Sequence, residues 1–257
     1  MIATFVSVVI PPGLAGLDLL LLVATSFATA LMTAVLGVGG GVALLAVTAS
    51  ILPPLAIIPV HGLVQAGANT NRAVLTRRHL NRSLFTDFTL GAVVGAVIAA
   101  LIVVQLPADV ILLAVGSFVL YLTWGPKLPH KALRGWPLRF AAALTTLISM
   151  FVGASGPLVA AFTQQLSAER FVRVATFSAC MSVQHGLKIA VFGGLGFAFS
   201  DWLGLIAAMI VSGFAGTWIG LHLLTKVSNE QFSRVFRWVL TLLALRLLYT
   251  GVAPLLT

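Results

Sequence analysis

His61, Gln65, Asn69 and Arg72 stand 4, 4 and 3 residues apart, a spacing that stacks all four on one face of an α-helix. Later in the chain Arg173, Phe177, Met181, Gln184, His185 and Lys188 mark an equivalent face. Both stripes are embedded in apolar sequence, where a buried ionisable group costs ~2.5–3.5 kcal/mol on insertion scales. Such groups persist where they line a cavity or find a partner. The six carboxylates (Asp18, Asp87, Asp109, Glu169, Asp201, Glu230) all fall near the ends of apolar blocks. A cation that faces a cavity without one of them is best matched by an anionic ligand. Gln65, Asn69, Gln184 and His185 offer neutral hydrogen bonds, and His61 or His185 can carry a coupled proton, since histidine titrates near neutrality. Blander readings stand beside these. Arg72 and Lys188 can snorkel to the headgroups, and His61 can be a hydrogen-bonded core histidine.

Two glycine-rich breaks precede the stripes. Gly37-Val38-Gly39-Gly40-Gly41 interrupts one apolar run and Gly153-Ala154-Ser155-Gly156-Pro157 another. Backbone N–H groups exposed there cannot be satisfied by lipid and must face protein or water. At the start of a following short helix they form an anion cradle, to which Ser155 adds a hydroxyl. Close packing of helices through small residues is the alternative use of such glycines.

The elements that must position these groups follow from composition. The 257 residues are 60% hydrophobic and 8% charged, with a mean hydropathy of +1.09, against about 25% charged residues in soluble domains. A water-soluble enzyme, a disordered chain and a disulfide scaffold (Cys180 is the single cysteine) are thereby excluded. An all-α, polytopic membrane protein remains, with length for roughly eight spans. Apolar blocks are expected at 14–36, 42–52, 55–72, 84–104, 110–124, 137–152, 158–166, 171–192, 202–224 and 232–249. The block 42–52 reaches about 16 Å as a helix, too short for a ~30 Å hydrocarbon core. No Lys or Arg precedes Arg72, so the first apolar stretch lacks the basic region of a secretory signal and is expected to remain in the mature chain.

The order of blocks repeats. An offset of 116 superimposes the two breaks and places Asn69 on His185 and Arg72 on Lys188; an offset of 121 places Gly95 on Gly216 and Asp109 on Glu230. Basic residues gather in Arg72–Arg82, Lys127–Arg139, Arg170–Arg173 and Lys226–Arg237, which the positive-inside rule puts on the cytoplasmic side. Only Lys188 and Arg246 fall outside these groups. Two inverted-topology repeats of about four helices each are therefore expected, at 14–124 and 137–250, joined by a basic cytoplasmic linker at 125–136. Each long block and its short partner pair as a bent hairpin, and both termini lie outside. Such repeats with broken helices are a transporter's construction, with the site near the midplane.

The net charge of +9 is spread over short loops, which argues against nucleic acid. Gly91 and Gly95, and Gly216 and Gly220, form small-residue seams for helix packing that also leave room for a homodimer. No zinc spacing, nucleophile elbow, phosphate loop or paired carboxylate is visible, so neither an enzyme nor a bound metal or cofactor is expected. The site residues point to a secondary transporter of a small anion working by alternating access. The alternative is a passive anion channel with the same basic residues as its selectivity ring.

The stretches AVLGVGGGVALLAV with PVHGLVQAGANTNRAV, and SMFVGASGPLVAAF with SACMSVQHGLKIAVFGGLG, resemble the TauE/SafE family of sulfite exporters over roughly residues 20 to 250. The resemblance implies a carrier in the bacterial inner membrane for sulfite, C2 sulfonates such as sulfoacetate, or related sulfur-containing anions. It implies substrate contacts at Gly39, Gly40, Gly41, Asn69 and Arg72 in the first half, and at Ser155, Gly156, His185 and Lys188 in the second.

Overall fold

The computed structural model describes residues 11, 13–36, 39–102, 107–126, 133–163, 169–223 and 230–255, and the side chains of all of these except 230–236 and 255. Among the described residues the chain is helical and has no strand. The helices are α1 (Gly16–Leu36), α2 (Gly40–Ile51), α3 (Pro54–Thr76), α4 (Arg82–Ile102) and α5 (Ala108–Trp124), followed by α6 (Trp136–Val152), α7 (Gly156–Thr163), α8 (Arg170–Gly194), α9 (Leu203–Leu223) and α10 (Glu230–Val252). Gly16–Leu36, Arg82–Ile102 and Phe199–Leu223 are long and apolar enough to cross a membrane, and Gly40–Ile51, Ala108–Trp124 and Trp136–Val152 are shorter apolar helices. Residues 103–106, most of the basic linker (127–132) and 164–168 lie outside the described residues.

Local chemistry sets the boundaries. Asp18 Oδ2 accepts the Ala15 N–H at 2.9 Å ahead of α1. Pro54 occupies the first turn of α3, where its missing N–H costs nothing. Asn81 Oδ1 accepts the Leu84 N–H at 3.0 Å, an N-cap that starts α4. Among the described residues each half holds five helices, the short segment after each break being a helix of its own.

Helix limits repeat along the chain. Gly40 and Gly156 start α2 and α7, and Pro54 and Arg170 start α3 and α8, each pair 116 residues apart. Arg82–Ile102 and Leu203–Leu223 are 121 apart at both ends. Contacts repeat as well. A methyl group on Gly95 would run into the Ala143 carbonyl, and one on Gly216 into the Phe27 carbonyl. Gly91 meets the backbone of Arg139 in the same way, and at the matching place the Ser212 hydroxyl donates to the Val23 carbonyl at 2.8 Å. The pairings α4–α6 and α9–α1 are thus counterparts, each parallel.

The matching helices α3 and α8 pack on one another antiparallel. His61 faces His185 with ring centroids 5.9 Å apart, and at the far end His79 pairs with Glu169 at 3.0 Å and stacks on Phe171. The pair α5–α10 is antiparallel too, with Trp124 Nε1 donating to Thr241 Oγ1 at 2.7 Å and Gly251 against Leu113. The described basic residues of these clusters consequently share one end of the molecule. Arg139 binds Asp87 at 2.8 Å beside Gly135, and Arg237 lies over the Trp124 ring. Starting from these orientations, α1 and α2 form a hairpin that begins and finishes at the end away from the basic residues, and α6 and α7 one that begins and finishes at the basic end.

The glycine seams are filled within the chain. Gly91, Gly95, Gly216 and Gly220 are buried against α6 and α1, so they offer no surface to a second copy. Gly216→Ala overpacks a backbone contact, which costs ~1–3 kcal/mol. Gly186, in α8 with nothing within 4 Å of an added methyl, gains ~0.4–1 kcal/mol from the same change. Thermal unfolding in detergent is expected to show a lowered melting temperature for Gly216→Ala and an unchanged or raised one for Gly186→Ala. Equal behaviour of the two would contradict the seam.

Candidate functional site

At the first break Gly39 has φ +106° and precedes α2 without supplying a side-chain cap; the Val42 N–H donates to the Gly39 carbonyl at 3.1 Å, and no side chain caps the Gly40 and Gly41 amides. Gly40 sits against the Thr29 carbonyl and the Thr33 hydroxyl, where no Cβ fits. The Gly41 carbonyl accepts His61 Nε2 at 2.9 Å. Above it runs a polar string on α3. Asn69 Nδ2 donates to the Gln65 carbonyl at 2.8 Å and to Gln65 Oε1 at 3.1 Å, while Arg72 Nη1 donates to Asn69 Oδ1 at 3.2 Å.

At the second break Gly153 has φ +83°, a conformation that L side chains rarely adopt, and a Cβ there would also strike Leu45 of α2. Its carbonyl accepts Lys188 Nζ at 2.6 Å. The Lys188 stem crosses Gly62, whose missing side chain makes the space. Ser155 stands at the N-cap position of α7, yet its hydroxyl donates to Gln184 Oε1. Gln184 Nε2 in turn donates to Thr146 Oγ1 at 2.9 Å. The α7 amides, like those of α2, are therefore not claimed by the neighbouring side chain.

A cavity of about 20 Å³ joins the two breaks, lined by Thr33, Gly39, Gly41, Val42, His61, Gln65, Asn69, Ala154, Ser155, Gly156, Pro157, Phe177, Met181 and His185. That is room for about one water. Of the expected substrate residues, Gly39, Gly41, Gln65, Asn69, Ser155, Gly156 and His185 line it, as does His61. Gly40, Arg72, Gln184 and Lys188 stand one layer behind, with Gly40 packed on α1 and the other three held by Asn69, Ser155 and Gly153.

Arg72 is 2% exposed and Lys188 0%, so neither snorkels; protein encloses both. Among the described residues the ion pairs are His79–Glu169 and Arg139–Asp87, and no carboxylate reaches Arg72 or Lys188. Three buried nitrogens around the cavity, His61 Nδ1, His185 Nδ1 and Arg72 Nε, have no hydrogen-bond partner among the described residues. His61 is thus hydrogen-bonded through Nε2 and has an unpartnered Nδ1 among the described residues. The centre can thus supply backbone amides, two imidazoles and the field of two cations to a small negative ligand, while the Ser155 and Thr33 hydroxyls are engaged with Gln184 and the Thr29 carbonyl.

Thr33, Val42, Ala154, Pro157, Phe177 and Met181 also line the cavity and are not among the site residues expected from the sequence. Thr33 carries a readable signal, since it lies one turn before the first break on the face of Ser26 and Thr29. Phe177 and Met181 lie on the α8 stripe, where apolar side chains give no sign of facing a polar hollow.

An all-helical membrane protein whose polar centre lies between two helix breaks belongs to the membrane transporters rather than the enzymes. The family model of the sulfite exporter TauE/SafE matches residues 22–247, and the chain belongs to that family. No curated protein and no solved structure matches the chain.

Gln184 links Ser155 to Thr146, so Gln184→Leu strands two buried hydroxyls at a cost of ~1–3 kcal/mol. The expected result is a melting temperature lowered by several degrees, and lowered less by Ser155→Ala. No change for Gln184→Leu would contradict the bonding assigned here.

Proposed function

We propose that the chain is a secondary carrier that exports sulfite, or a C2 sulfonate such as sulfoacetate, by alternating access around the cavity between its two breaks. The observation that carries this reading is the pair of enclosed cations, Lys188 and Arg72, behind a polar cavity with no carboxylate to neutralise them. A small oxyanion accepts hydrogen bonds from the first-turn amides of α2 and α7, from Gln65 Nε2 and from His185, and from Ser155 and Asn69 once their protons leave Gln184 and Gln65. Lys188 and Arg72 supply the opposing charge from the layer behind, and Gln184 orients Ser155.

The halves 14–124 and 137–250 are read as inverted repeats. Support comes from the counterpart helices α3 and α8, and α5 and α10, which run antiparallel, and from hairpins that open to opposite ends. With the basic end in the cytoplasm of a bacterium, both termini lie outside its inner membrane. A cavity of only about 20 Å³ supports a carrier over a channel, whose conduction needs a continuous path. His61 and His185, with unpartnered Nδ1 atoms, are placed to take a proton that accompanies the anion.

A ligand at a hundred times its Kd stabilises the folded form by ~2.7 kcal/mol. Sulfite is accordingly expected to raise the melting temperature of the purified protein by several degrees. Sulfoacetate is to be compared with it, and taurine, sulfate and phosphate are expected to fall short. Lys188→Met removes the shift. In proteoliposomes, internal unlabelled sulfite drives uptake of labelled sulfite against its gradient. No shift with any of these anions would overturn the substrate class, and flux without counterflow would make the protein a channel.

A further inference from the structure

Two cation-to-carbonyl contacts bracket the cavity along a single helix. Arg170, the first residue of α8, donates from Nη2 to the Val35 carbonyl at 3.1 Å. Lys188, near the other end of α8, donates to the Gly153 carbonyl at 2.6 Å. Eighteen residues of helix separate them, about 27 Å at 1.5 Å per residue, close to the thickness of a hydrocarbon core. Between them on the same face of α8 lie Phe177, Met181 and His185, all of which line the cavity.

Both acceptors are carbonyls where a helix runs into a break. Val35 is in the last turn of α1, and Gly153 follows the last residue of α6. Carbonyls at such ends have no partner in their own helix, carry the negative end of the helix dipole and cannot be left bare in lipid. A long cation reaching across from α8 satisfies each one and ties that helix end to α8. The contacts are not counterparts in the two halves, since the positions matching Arg170 and Lys188 are Pro54 and Arg72.

We infer that Arg170 and Lys188 are the two latches of the carrier, closing the cavity toward the basic end and toward the opposite end respectively. The inference rests on the carrier reading of the central cavity. With both latches made, the cavity holds about one water and is too small for an oxyanion. Loading or release on either side requires one latch to let go while the other holds. An anion entering beside a latch competes with the carbonyl for its cation, which couples occupancy to opening. Arg170 is on this account a positioning residue that touches no substrate in the closed form.

The test uses the full chain with Cys180→Ala and a single reporter, Thr33→Cys, in vesicles of known orientation. Labelling by a membrane-impermeant maleimide is measured separately from each side. Arg170→Gln is expected to speed labelling from the basic side at least fivefold and leave the other side unchanged. Lys188→Met is expected to do the reverse. Arg170→Lys, which keeps a donor of similar reach, restores slow labelling and distinguishes a lost latch from a damaged fold. Unchanged labelling with Arg170→Gln, or equal acceleration from both sides, overturns the proposal. The readout needs no transported anion, so a failed sulfite assay would overturn the substrate and leave the latch result legible.

Discussion

The ammonium of Lys188 against the carbonyl of Gly153, enclosed by protein within apolar helices, is the contact that the rest of the molecule accommodates. Removing an ion from water costs several kcal/mol even after relaxation, and a carbonyl returns only the field of a dipole. Each neighbouring feature reads as an adjustment to that cost. Gly62 gives up its side chain to pass the lysine stem. Gly153 takes a left-handed conformation that turns its carbonyl toward the amine. The cavity, with its unpartnered imidazole nitrogens, lies alongside, and on the proposed function a negative ion there completes the charge balance. Arg72 repeats the condition on α3 with Asn69 as its partner.

The duplicated frame and the unequal site obey different constraints. Packing between halves is repetitive, because the helix seams α4–α6 and α1–α9 solve one steric problem twice, with Gly95 on Ala143 and Gly216 on Phe27. The polar residues along the central pair α3–α8 diverge. His61 matches Phe177, Gln65 matches Met181, and Asn69 matches His185. A symmetric cavity would present the same side chains from both halves, whereas this one is lined by His61, Gln65 and Asn69 of α3 on one side and by Ser155 and His185 on the other. The helix limits and seams repeat between the halves, and the residues that line the cavity do not.

Much of this was legible in the sequence, for physical reasons that differ by element. The breaks were legible because glycine runs in apolar sequence have few structural uses. Helix starts at Gly40 and Gly156 follow from them. The α3 stripe was legible because spacings of 4, 4 and 3 on a helix have one geometric meaning. Partners were not legible where the acceptor is backbone, since every residue carries a carbonyl. Neither Lys188–Gly153 nor Arg170–Val35 leaves any mark in residue types. The layering was hidden as well; Gly40 and Gly41 are identical in sequence, yet one packs on α1 and the other faces the cavity. The glycine seams suited a contact between copies and a contact within the chain equally well, and only the fold assigns them to the latter.

The central claim, that uncompensated positive charge between two helix breaks holds a small oxyanion, is tested most directly by locating one. Selenite has the shape and charge of sulfite and scatters anomalously. An anomalous difference map from crystals of the lipid-embedded protein grown in selenite is predicted to show one strong peak between Gly41 and Ser155, within hydrogen-bond reach of Asn69 and His185. Selenite found only among the exposed arginines at the basic end, with the space between the breaks featureless, would contradict the account.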